Sequence, residues 1–345
     1  MRMRCAILWL AACGGPATAP RAPAPLEPFT TAVIALPGGG PDGVAMDYLA
    51  FDPRTHAVWV PAGNTGAVDV VDVATGKVSQ LGGFATQELE VRGKLRRVGP
   101  SAAAIGPPGT VYVGSRGDRS ICAIDEVALT RRTCATLDAM PDGIAYVART
   151  QEVWVTTPRD RSIRILDATS LAQKARLAFD GAPEGFAADN TRGRFYTNLE
   201  DKDQTLAIDL ASRATVATWA PRCGEDGPHG LRLAEAEGFL LVACDDRITT
   251  FDVAHGTPLG AVDTGKGVDD FDYDPASHRV YAGGAEAGSL TIASLAPTGA
   301  LTRLATIPTR PGARNGVVTA TGQVYLAHAR GSELVVITPA SPAAR

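Results

Sequence analysis

Five residues capable of acid–base or metal chemistry stand at one fixed distance from a recurring landmark. Asp47, Asp142, Glu184, His229 and Asp269 each lie 11 residues before the first residue of a short apolar triplet. The constant count selects Asp47 over the nearby Asp42. Ser101 and Arg314 complete the set where the intervening turns are shorter. Carboxylate oxygens suit Ca²⁺ or Mg²⁺, which makes Asp47, Asp142, Glu184 and Asp269 a candidate cation set. Crowded carboxylates also raise one another's pKa and can act as general acid or base, and a histidine titrates near neutrality.

The landmarks define the elements that must position these residues. They are Val58-Trp59-Val60, Val111-Tyr112-Val113, Val153-Trp154-Val155, Phe195-Tyr196-Thr197, Leu240-Leu241-Val242, Val280-Tyr281-Ala282 and Val324-Tyr325-Leu326. About 10 residues after each triplet comes a second alternating run, often closed by an aspartate: Asp72, Asp125, Asp167, Asp209, Asp252. These aspartates are 53, 42, 42 and 43 residues apart. Short alternating strands, Gly/Asp/Asn turns and a period near 40 describe an all-β seven-bladed β-propeller. In that fold each blade's first strand lines a central channel. The seven candidate residues therefore form a ligand-binding ring at the channel mouth, and the channel is expected to be water-filled. Asp142 and Glu184 are expected to point into solvent. The loops joining second and third strands open on the same face. They add Asn64, Arg116, Asp118, Arg159, Asp160, Asn198, Glu200, Asp201, Asp245, Asp246, Glu286, His328 and Arg330. His56, His255 and His278 fall in turns on the opposite face.

The last blade has only three strands of its own, ending at Glu333 to Thr338. The run from Thr31 to Leu36 resembles the fourth strands elsewhere and is predicted to complete it, closing the ring and removing an open sheet edge. The propeller thus spans 31–338, with a C-terminal tail at 339–345. Between blades 1 and 2 lies a charged insertion near Gln87 to Arg97, containing Glu88, Glu90, Arg92, Lys94, Arg96 and Arg97. It reads as a solvated hairpin extension.

Residues 1–12 read as a signal peptide: Met1-Arg2-Met3-Arg4 is positive, and Cys5 to Leu10 is apolar. Leu10-Ala11-Ala12-Cys13 resembles a bacterial lipobox, which implies lipidation at Cys13. Residues 13–30 are rich in Pro and Ala and form a tether. The expected address is an exported lipoprotein facing the periplasm or the cell surface. Four cysteines remain, and the repeat map pairs them. Cys122 and Cys134 fall on the antiparallel third and fourth strands of blade 2. Cys223 precedes blade 5 and Cys244 ends that blade's second strand. Neither a C-x-x-C nor a nearby histidine pair supports a zinc site.

Several phrases resemble the YVTN-repeat, YncE-like family of seven-bladed propellers. They are Asp47-Tyr48-Leu49-Ala50-Phe51-Asp52-Pro53, Asn198-Leu199-Glu200-Asp201-Lys202, Gly267-Val268-Asp269 leading to Asp274-Pro275, and Pro308 to Arg314. Phe195-Tyr196-Thr197-Asn198 stands closest to the eponymous motif. The resemblance implies an exported propeller. Members are mostly surface proteins of unsettled biochemistry, and some carry a lactonase label.

Gly260 to Lys266 has P-loop spacing, but Gly267 replaces the hydroxyl residue and no helix follows. Asp270, Asp272 and Asp274 lack the glycine and distal glutamate of a calcium loop. No G-x-S-x-G is present. A net charge of −4 without a basic stripe gives no nucleic-acid footprint. Two functions fit the residues. The favoured one is an envelope-anchored scaffold that binds a small molecule or envelope protein as a monomer, touching the membrane through its lipid alone. The other is a divalent-metal-assisted hydrolase or lyase of a small ester or lactone, gluconolactonase-like in architecture alone.

Overall fold

The structure, a computed structural model, describes residues 28–91 and 93–340. Cys13, the signal segment, most of the tether, Arg92 and the end of the tail lie outside the described residues. Seven four-stranded antiparallel sheets form the blades of a propeller. Each apolar triplet lies in a blade's second strand, as in Ala57–Ala62 and Glu152–Thr157. That strand has a sheet packed against each of its faces, so it reads as a continuous apolar run rather than an alternating one. Its central residue is buried in every blade: Trp59, Tyr112, Trp154, Tyr196, Leu241, Tyr281 and Tyr325 are at most 3% exposed. Trp154 stacks on Phe195 of the next blade at 4.6 Å, and the Tyr112 hydroxyl donates to Ala168 O at 2.7 Å. Fourth strands such as Gln173–Ala178 alternate exposed and half-buried residues, because only one face of the rim meets protein.

The recurring aspartates end the third strands and hold the turns that follow. Asp125 Oδ1 accepts the backbone N–H of Val127 and Ala128, and Asp209 Oδ1 accepts those of Ala211 and Ser212. Donors aimed at a carboxylate favour its charged form. Asp125 is accordingly held down at about 2, with backbone donation from Ala128 the largest cause.

Ring closure follows the expectation. Phe29–Ala35 pairs antiparallel with Glu333–Pro339, beginning two residues before the anticipated start. Leu36 N donates to Ser332 O in the turn between second and third strands of blade 7, on the mouth face. At the other end Phe29 stands opposite Pro339, and Ala340 N donates to Pro28 O. The described chain therefore enters the propeller on the face away from the mouth. His56 and His278 also lie on that face, in left-handed turns at φ +52° and +51°.

Both disulfides have the pairing read from the repeat map. Cys122 is bonded to Cys134 across the third and fourth strands of blade 2, and Cys223 to Cys244. Two disulfides belong to an oxidising, exported environment. Among the described residues no helix is long and apolar enough to cross a membrane.

Candidate functional site

The mouth is built by backbone bonds that tie neighbouring first strands together. Tyr48 N donates to Ser101 O, Ala103 N to Tyr48 O, and Gly230 N to Asp269 O. Asn64 holds the approach to Asp47: its Oδ1 accepts Ala45 N and its Nδ2 donates to Gly43 O, both at 2.8 Å. Asn198 acts similarly on blade 5, donating to His229 O at 2.6 Å. The ring residues thus sit on a braced rim.

All seven candidates line three adjoining cavities that share Arg116. The largest, about 480 Å³, takes in Asp47, Glu184, His229, Asp269 and Arg314. Asp142 lines a second of about 360 Å³, and Ser101 a third of about 180 Å³. Of the loop residues, Glu200, Asp245 and Glu286 join the largest cavity.

Arg116 decides what the carboxylates can do. Its guanidinium bonds to Asp47 Oδ2 at 2.7 Å and also to Asp142 Oδ1. Asp142 is only 8% exposed, which corrects the expectation that it points into solvent. Asp269 is engaged by Arg314 at 3.4 Å and by Asn315 Nδ2 at 2.8 Å. The expected cation set is therefore not gathered around an open centre. A fixed guanidinium stands between two of its members, and among the described residues no group of three or more Asp, Glu, His or Cys is arranged to hold a metal.

Asn315 is the residue that sequence reasoning missed. It sits at φ +51° in blade 7 and is 3% exposed. Its Nδ2 also reaches Asp47 Oδ1 at 3.2 Å, and its Oδ1 accepts Asp270 N at 3.1 Å. Asn followed by Gly316 was the available signal, since asparagine tolerates the left-handed region better than most residues.

Burial without full neutralisation makes the mouth a proton-holding site. Burial pushes the Asp47 carboxyl up from 3.8 to about 7, against Arg116 and with help from Asp142 and Asp269. Burial likewise raises Glu184 well above the usual carboxylate range, with Asp142 and a hydrogen bond to Glu200 adding to it. Burial works against charging His229, but Glu200, Asp269 and Asp245 overcome it and raise its pKa. His229 Nδ1 stands 3.4 Å from Glu200 Oε1, a charge contact longer than a well-formed hydrogen bond. Glu184, Glu200 and His229 thus form a chain of neighbouring ionisable groups on one wall.

An aromatic pair narrows the channel beneath the mouth. The rings of Tyr48 and Phe186, from blades 1 and 4, meet at 5.6 Å. Gly143 makes room for this pair: a Cβ there would stand 2.0 Å from Phe186. Deeper still, Arg232 bonds Asp270 at 2.8 Å and Asp272 at 3.1 Å, so two aspartates of this run hold an arginine.

The charged insertion is a two-stranded hairpin, Gln87–Val91 and Lys94–Val98, tied to blade 2 by Gln87 Nε2 donating to Arg116 O at 2.9 Å. It is more than a solvated extension. Leu89 pairs with Arg96, so both side chains share one face. That face reaches the mouth: Leu89 and Val98 line the Asp142 cavity, and Arg96 lines the largest one. The outward face carries Leu95, 68% exposed.

The class these features define is a seven-bladed β-propeller with a polar mouth lined by acid–base groups. No family model matches the chain, and no curated protein is similar to it in sequence. Among solved structures 1674 chains are similar. One, from the crystal structure of a mitotic checkpoint complex, is 15% identical with a TM-score of 0.69, over 98% of this chain and 99% of that one. At that identity the likeness shows the fold alone.

Proposed function

We propose that this protein is an envelope-anchored binding propeller that takes a polar small molecule, or the end of an envelope protein, in its channel mouth. One observation carries the reading: Tyr48 and Phe186 meet across the channel beneath the rim, which narrows it and leaves the mouth as a cup walled by ionisable groups. Such a concave site on a rigid frame suits ligand capture. Anchoring through Cys13 is part of the proposal, as is membership of the YncE-like family. The chain enters opposite the mouth, so a tether of residues 13 to 28 would turn the cup away from the membrane. The similar chain from the checkpoint complex belongs to an assembly of proteins, which agrees with a binding role.

The hydrolase or lyase reading has one observation on its side. Glu184, Glu200 and His229 are linked, and Glu184 and His229 titrate above their ordinary ranges, as acid–base groups do.

The test is a thermal-shift screen of polar metabolites and short peptides on wild type and on a Glu286→Ala, Arg314→Ala variant. Compounds that stabilise only wild type support the mouth site, because a ligand that binds the native state raises its melting temperature by mass action. Compounds that stabilise both equally place binding elsewhere. Chemical conversion of a hit, followed by mass spectrometry, would replace the scaffold reading with the enzymatic one. Cys13→Ser should move the protein from membrane to soluble fraction.

A further inference from the structure

We infer that the mouth is bipolar and takes a zwitterionic ligand of about dipeptide size, with its cationic group against blades 4 to 6 and its carboxylate against blades 7, 1 and 2. The inference rests on the binding reading above and names the ligand class of that site.

The two signs of charge are segregated around the cup. Every arginine of the 480 Å³ mouth cavity comes from one side: Arg314 from blade 7, Arg96 from the hairpin between blades 1 and 2, and Arg116 from blade 2. Apart from Asp47 and Asp269, which those arginines engage, the acidic side chains come from the other side: Glu200 from blade 4, Asp226 and Asp245 from blade 5 and Glu286 from blade 6 supply the charge, with Glu184 of blade 4 beside them holding its proton. Among the described residues Arg96 makes no ion pair, and Arg314 keeps 48% of its side chain exposed while touching Asp269 at the loose distance of 3.4 Å. Both remain available to an incoming anion. Glu286 is exposed and forms no ion pair among the described residues, which leaves it available to an incoming cation.

A second, independent feature points to a ligand at the positive end. Ser101 is 3% exposed, yet its Oγ has no hydrogen-bond partner among the described residues. It lines the small cavity together with Arg96, Arg116 and Arg314. A buried hydroxyl is costly to leave unpaired. A hydroxyl and guanidinium groups around one space form the donor set that a carboxylate accepts from. At the negative end, His229 Nδ1 is likewise buried without a well-formed hydrogen bond. A simple cation would use only one wall, and a simple anion would meet the acidic one at a cost. A zwitterion aligned with the field satisfies both.

The probe is lysylglycine in three forms: free, amidated at its C-terminus, and acetylated at both amines. Affinity for the purified full chain is read by calorimetry. The free dipeptide should bind at least tenfold more tightly than either blocked form. Arg314→Gln should bring the free dipeptide to the level of the amide and leave the amide unchanged. Glu286→Gln should weaken the free and amidated forms together. Both positions are exposed, so the fold is retained. Equal binding of free and amidated forms overturns the bipolar assignment. If Glu286→Gln still weakens both, the mouth-binding reading survives that failure. Absence of saturable binding of the free dipeptide at tens of millimolar also overturns the assignment, whereas hits from the metabolite screen lost in the Glu286→Ala, Arg314→Ala variant would keep the mouth as a site.

Discussion

Asp47→Asn should make the protein's stability less sensitive to pH between about 4 and 7, by a margin set by the mouth. The folded carboxyl holds its proton to about 7, whereas its ordinary value is 3.8. Above the unfolded pKa the native state therefore binds more protons than the unfolded chain, and stability falls as pH rises until the folded group has also ionised. The loss is spread over the window from about 4 to about 7 and is complete above it. Each pKa unit corresponds to about 1.4 kcal/mol, so between pH 5 and pH 8 this group alone removes about 2–3 kcal/mol. The substituted asparagine has nothing to ionise, while Arg116 keeps Asp142 as its partner. For a chain of this size about 2–3 kcal/mol corresponds to roughly 3–5 °C in melting temperature. Calorimetric melts at pH 5, 6, 7 and 8 should show wild type falling that much further than the variant. Parallel curves would refute the reasoning, because they would mean Asp47 is ionised throughout and the mouth is an ordinary solvated rim.

Three further outcomes follow from the fold. Replacing either disulfide pair by serines should cost about 3 kcal/mol, from the closure of loops separated by 12 and 21 residues, and non-reducing peptide mapping should return Cys122–Cys134 and Cys223–Cys244. Deleting residues 28–36 uncovers the Glu333–Pro339 edge and should convert a monodisperse protein into a self-associating one by light scattering. Phe186→Ala removes the tilted contact with Tyr48 and the stacking on Phe195, and denaturant unfolding should show a loss of about 3 kcal/mol.

What the sequence determined by itself was everything that repeats. A strand buried between two neighbours needs an apolar run, and a turn closed by a carboxylate needs an aspartate. Every blade states the first in its own residues and five state the second, so the triplets and Asp72 to Asp252 reveal seven blades, the closing strand and the cysteine pairing. The constant spacing of Asp47, Asp142, Glu184, His229 and Asp269 likewise placed them at one rim, because a first strand's position is local to its blade. Tertiary structure decided whatever depends on which blade faces which. Arg116 lies 69 residues from Asp47 and 26 from Asp142, and only ring geometry puts one guanidinium between them. Asn315 reaches Asp47 across 268 residues because closure makes the last blade the neighbour of the first. The Tyr48–Phe186 pair joins blades 1 and 4 across the axis, a contact no strand pattern encodes. The hairpin's inward face also depends on where its stem leaves the disc: alternation tells which residues share a side, and only the fold tells which side meets the mouth.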